Sequence, residues 1–246
     1  MIRDLLQRVG RSVDRRFLGR LAEGVSRPPW SATAAGVAVA VSFGGIYHVP
    51  EILGFLDYWG PHCIWPGLIR HLPMLCCLAY LARRANTTVE TAFGLRPVRV
   101  RRVMLSGLLL FVLATIWMLS ILGLLTWLGL KMGPTASGGY MRRAASSFFV
   151  FTDVTVWAPL CEELACRGLL YTSLRTRCGI TSSTVLTAAV FTSLHNPGTL
   201  VEICGHFFPA ALFSLWYERT RSLWPNVIAH ALHNGIPALY LIATRT

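Results

Sequence analysis

The sequence predicts an all-α protein: a polytopic transmembrane helical bundle of about seven spans, with an N-terminal amphipathic helix lying at the interface. Three observations predict it. The 246 residues are 54% hydrophobic and only 14% charged, where a soluble domain carries about 25% charged residues. The charges are absent from long apolar blocks and dense between them, as a bilayer requires. A few ionisable residues nevertheless fall inside the apolar blocks, at positions taken up below. Mean hydropathy is +0.52. The net charge of +12 has the same origin, since the basic residues flank spans and face anionic headgroups. Once the spans are removed no basic surface is left for nucleic acid. There are seven cysteines and no CxxC pair. An odd count without paired spacing argues against a disulfide framework or a thiolate metal site, and the cysteines read as small apolar residues of the bundle.

Residues 1–30 form a basic amphipathic segment. Arg3, Arg8, Arg11, Arg15, Arg16, Arg20 and Arg27 share it with Ile2, Leu5, Val9, Val13, Phe17 and Leu21 at steps of mostly three or four. That periodicity favours a helix on the membrane surface over a solvated basic tail. Pro28 and Pro29 stop it, and Trp30 suits the interface. A cleaved signal peptide fits poorly, because apolar sequence begins only near residue 33. Accessory helices occupy 31–144. The first span, 33–49, is rich in glycine and alanine, which favours close packing. The second, 62–82, is interrupted by Arg70, His71 and Pro73. The third, 104–130, is the cleanest and long enough to tilt. A core of 145–246 holds spans at 146–174, 182–196, 199–217 and 223–243.

Alternate loops are basic. The loop after span one has Glu51 and Asp57 without Lys or Arg; the one after span two has Arg83, Arg84, Arg96, Arg99, Arg101 and Arg102. Arg175 and Arg177 follow span four, and Arg219 and Arg221 follow span six. The N-terminus is therefore expected in the cytoplasm of a cell whose plasma or inner membrane holds the chain. Lys131, Arg142 and Arg143 break the pattern mildly. No internal repeat is visible.

Ionisable groups inside spans cost about 2.5–3.5 kcal/mol each on the insertion scale and so face the bundle interior. Span four reads Ala158-Pro159-Leu160-Cys161-Glu162-Glu163-Leu164-Ala165-Cys166-Arg167-Gly168. Adjacent glutamates on a helix point about 100° apart. Glu163 and Arg167 stand at i, i+4, the spacing of an ion pair. Glu162 has no partner in sequence and stays available to a water or substrate, as a general base must. Span five ends Phe191-x-x-x-His195, and span seven holds His230-Ala231-Leu232-His233-Asn234. His230 and Asn234 share a face, where two donors can hold an oxyanion or a metal. Each group alone also fits a packing or capping role. Together, on three separate apolar helices, they meet only in the bundle core.

These motifs, Glu162-Glu163-x-x-x-Arg167, Phe191-x-x-x-His195 and His230-x-x-x-Asn234, resemble the three signatures of the CPBP family. That family comprises type II CAAX prenyl proteases (Ras-converting enzyme-like) and bacterial relatives of the Abi type linked to bacteriocin immunity. The run Trp216-Tyr217-Glu218-Arg219-Thr220-Arg221-Ser222-Leu223-Trp224-Pro225 is also similar to the stretch before the family's last motif. The resemblance covers about residues 145–240. It implies an intramembrane endopeptidase acting on a membrane-associated or lipid-modified substrate. Glu162 and His195 would activate water, His230 and Asn234 would hold the oxyanion, and Glu163 and Arg167 would support the first helix. Cofactor use is open between a glutamic and a zinc mechanism. Glu162, His195 and His230 would be the zinc ligands, although no HExxH is present. Departures are Ala210 and Ser214 where relatives often have glycine, and His233 where they commonly have asparagine. Glu202 and His206 of span six belong to no motif and read as structural or as lining a water path. Two other classes fit intramembrane polar groups: a proton-coupled transporter, disfavoured by the missing repeat, and a non-proteolytic scaffold or immunity protein.

Overall fold

The computed structural model describes residues 30–31, 33–39, 66–95, 99–130 and 147–244. The interfacial helix expected before Trp30, most of the first span, and the loops after spans one and three lie outside these residues. Every regular element among the described residues is helical. Helix α1 is Pro66–Arg84, α2 Val89–Phe93 and α3 Val100–Trp127. A long polar helix follows in pieces: α4 Ser147–Thr152, a π-helical turn Asp153–Trp157, α5 Ala158–Glu163, a second π-helical stretch Leu164–Tyr171, and α6 Thr172–Leu194. Helix α7 is Leu200–Thr220 and α8 is Trp224–Ala243.

Helices α1, α3, α7 and α8 coincide with the predicted spans two, three, six and seven within a few residues. Two of the described helices, α3 and α7, are long and apolar enough to cross a membrane. The 28 residues of α3 measure about 42 Å, beyond the hydrocarbon thickness of about 30 Å, so a spanning α3 tilts. Leu108, Leu109, Ile116 and Trp117 stand exposed along it, as lipid-facing residues do.

Two sequence expectations change. Arg70, His71 and Pro73 do not interrupt the second span. Helix α1 continues through Pro73, and His71 is buried against Asp153 at 3.2 Å, inside the bundle. The loop expected between spans four and five shrinks to one residue. Helix continues on both sides of Gly179, which alone turns the chain at φ 77° and ψ −178°, a conformation only glycine adopts without strain. Trp30 is buried, stacked on Phe93 at 4.9 Å, and donates to Ser173 Oγ at 2.9 Å.

Helix α8 packs chiefly on α3, α6 on α7, and α7 on α3. Small residues allow the close crossings. A Cβ on Gly107 of α3 would stand 2.9 Å from Ile228 and 3.1 Å from the Pro225 carbonyl of α8. Gly168 gives the same clearance to Phe93 of α2. One apolar core joins Phe93, Leu164, Leu169 and Tyr171 to Leu78 of α1, and a smaller one joins Leu110 and Ala114 to Phe213 and Ala229. Gly107→Val should push α8 off α3 and lower the stability of the detergent-solubilised protein by about 1–3 kcal/mol. Thermal unfolding checks this; an unchanged midpoint would contradict the crossing.

Candidate active site

Each polar group of the core is placed by helical spacing. Glu162 and Glu163 end α5, and Arg167 lies one turn on. Arg167 is fully buried. Its Nη1 donates to Glu163 Oε1 at 2.9 Å and its Nη2 to the Ala210 carbonyl of α7 at 2.7 Å. The guanidinium also lies 5.1 Å from the Phe191 ring centre and 5.5 Å from that of Phe213, an arrangement only a planar cation makes. Glu163 is equally buried. Beyond Arg167 it accepts from Asn226 Nδ2 at 3.2 Å and from His230 Nδ1 at 3.0 Å, both on α8. The expected ion pair is therefore real, and it extends to two further side chains.

Glu162 is used differently. Its Oε2 is buried with no hydrogen-bond partner, yet stands 3.7 Å from His195 Nε2 and 3.7 Å from His230 Nε2. Both imidazoles are oriented from behind. His195 Nδ1 lies 2.7 Å from the Phe191 carbonyl, which only accepts, so Nδ1 carries the proton and Nε2 faces Glu162. His230 Nδ1 is held by Glu163 in the same manner. The His195 ring is flanked by Phe191 at 4.4 Å and by His206 at 4.8 Å. A carboxylate oxygen thus faces two Nε2 atoms, too far from either for a direct hydrogen bond.

Asn234 is reached through a backbone irregularity. In an α-helix the Val154 carbonyl would take the N–H of Ala158. Here that N–H goes to Asp153 O, in the π-helical register. The next residue, Pro159, has no N–H to offer. Asn234 Nδ2 supplies the missing donor at 3.1 Å from Val154 O. One amide hydrogen of Asn234 is thereby committed, and the second remains.

The residues outside the motifs also find places. Thr199 caps α7 by accepting from Glu202 N at 3.2 Å, while Glu202 Oε2 accepts from Gly198 N at 2.7 Å. Both side chains thus satisfy backbone donors at the start of α7, as in a capping box shifted by one residue. His206 Nδ1 donates to the Glu202 carbonyl at 2.7 Å, and its ring meets His195. The sequence signal for His206 was its place within an apolar span, one helical turn after Glu202. Glu218 binds Tyr171 Oη at 2.9 Å, Arg175 Nε at 3.1 Å and Arg221 Nη2 at 2.7 Å. That accounts for the charged run that follows span six.

The three candidate zinc donors are gathered, but widely. Zinc–donor bonds of about 2.0–2.1 Å set tetrahedral donors about 3.3–3.4 Å apart, against 3.7 Å for both pairs here. Among the described residues no group of three or more His, Cys, Asp or Glu side chains is arranged to hold a metal ion. As they stand, the donors do not fit the ion.

Within this all-helical bundle an acid and two imidazoles converge among apolar helices. Residues 144–236 match the family model described as type II CAAX prenyl endopeptidase Rce1-like. No curated protein and no solved structure matches the chain. The matched residues hold all three motifs together with Asn226 and the prolines Pro159 and Pro225.

Breaking the Glu163 cluster should cost folded protein. Arg167→Ala deprives a buried carboxylate of its guanidinium, at about 3–5 kcal/mol, and Arg167→Lys should not restore it, because one ammonium cannot reproduce the planar fork between Glu163 and Ala210. Glu162→Gln, at a carboxylate oxygen with no bonded partner, should cost much less than Arg167→Ala. Paired melting curves in detergent test the contrast; equal losses would refute the division of labour between the two glutamates.

Proposed function

We propose that the chain is an intramembrane endopeptidase that hydrolyses a peptide bond in a membrane-associated or lipid-modified protein. The observation that carries this reading is the unbonded Glu162 Oε2 standing 3.7 Å from two Nε2 atoms. A water in that space donates one hydrogen to Glu162 and the other to His195 Nε2. Its oxygen then attacks the carbonyl carbon as Glu162 takes the proton. The carbonyl oxygen gains charge and is met by His230 Nε2 and the remaining Asn234 amide hydrogen.

His230 donates from Nε2 only if both ring nitrogens carry protons, because Nδ1 already faces the Glu163 carboxylate. A carboxylate faces each nitrogen of the ring, Glu163 Oε1 at 3.0 Å from Nδ1 and Glu162 Oε2 at 3.7 Å from Nε2, which supports that state. The donor spacing supports a metal-free course, with Glu162 as base. The arginine distribution supports a cytoplasmic N-terminus in the plasma or inner membrane.

The test is cleavage of membrane peptides, prenylated and unprenylated, by purified protein in detergent. Glu162→Gln should lower kcat by about 10²–10⁴-fold with normal insertion, and Asn234→Ala by about 10²–10³-fold. Cleavage that survives Glu162→Gln would point to a scaffold and a contaminating protease. Solute uptake into liposomes without cleavage would point to a carrier. Loss of activity on adding a chelator, restored by zinc, would overturn the metal-free course.

A further inference from the structure

One buried polar pair takes no part in the reaction above. His71 of α1 and Asp153 of the first π-helical turn face each other at 3.2 Å, at 2% and 4% exposure. His71 lies outside the Rce1-like residues 144–236. The carboxylate accepts, so His71 Nε2 carries the proton. His71 Nδ1 is also buried and has no partner. An unsatisfied buried acceptor costs about 1–3 kcal/mol, a reason for the chain to prefer an apolar residue unless the pair does something.

What it holds is the turn that serves Asn234. Asp153 opens the π-helical segment, and its carbonyl takes the Ala158 N–H. That capture, with Pro159 next in line, strips Val154 O of helical donors. Val154 O then fixes the Asn234 amide at 3.1 Å. Helix α1 packs on this turn and on α5. Three links therefore connect an accessory helix to the end of the catalytic motif on α8: His71 to Asp153, Asp153 to the backbone register of its turn, and Val154 O to Asn234.

We propose that His71 is a positioning residue for the oxyanion donor, clamping the Asp153–Trp157 turn so that Val154 O orients Asn234. This rests on the peptidase reading above. Through the clamp, a helix outside the family-matched segment sets the rate of the reaction without touching substrate. Misplacing a reacting group by an ångström costs up to about a hundredfold, and the loss falls on kcat because the donor acts on charge that develops in the transition state.

The experiment combines kinetics with hydrogen exchange on the full chain in detergent. His71→Ala should lower kcat tenfold to a hundredfold with KM little changed, and should speed exchange of amides in residues 153–158. His71→Gln, which keeps a donor near the Nε2 position, should recover most of both. In an Asn234→Ala background His71→Ala should add little, since its target is gone. If His71→Ala folds poorly, the double change His71→Leu with Asp153→Leu replaces the pair by apolar bulk, often without loss of stability; it should show the same low kcat. Unchanged exchange at 153–158 overturns the clamp, as does an equal fall in rate with and without Asn234, or a change confined to KM. An Asn234→Ala enzyme with full kcat instead refutes the oxyanion assignment, and exchange alone then decides whether His71 holds the turn.

Discussion

The carboxylate of Glu163 is the interaction on which the rest of the core depends. A fully buried anion is costly in an apolar bundle, and this one is met by Arg167, Asn226 and His230 at 2.9–3.2 Å. Arg167 adds the Ala210 carbonyl, and Asn226 adds the Phe213 carbonyl at 2.8 Å. One ion pair thus ties the long polar helix to α7 and α8. Three helices that share only apolar surfaces could slide or rotate against one another. A carboxylate with three specific donors admits one register, and that register points His230 at Glu162.

The second device is the use of disrupted helix geometry to make polar atoms available. In a bilayer a helix is tolerated because its backbone groups satisfy each other internally. The long polar helix departs from that rule at both ends of α5, in the turn Asp153–Trp157 and the stretch Leu164–Tyr171. At the first departure a free carbonyl is exchanged for a hold on Asn234. Such single-turn bulges concentrate where function requires them, and here the cause is concrete: Pro159 brings no N–H.

Much of the site was legible from residue spacing. The i, i+4 relation of Glu163 and Arg167 announced their pair, and the absence of a partner for Glu162 set it apart. The Phe191-x-x-x-His195 spacing appears as rings 4.4 Å apart with the Phe191 carbonyl holding Nδ1. Other parts were not legible. Asn226 stands one turn before His230 on the same helix face, but that spacing does not say it reaches Glu163. His206 meets His195 only because α6 and α7 fold back on each other. His71 looked like an interruption of a span because its partner lies 82 positions away.

Composition and periodicity alone pointed to a helical chain with apolar spans, and three short motifs pointed to the polar residues of its core. These follow from local rules: charge excluded from apolar runs, and side chains three or four apart sharing a face. Tertiary structure decided which atoms meet. The convergence of one carboxylate oxygen with two imidazole nitrogens, the capture of Asn234 by a carbonyl that Pro159 cannot serve, and the pairing of His71 with Asp153 all depend on how separate helices cross. A helical period specifies the face a residue occupies, and only the packing of small against large side chains at each crossing specifies what that face touches.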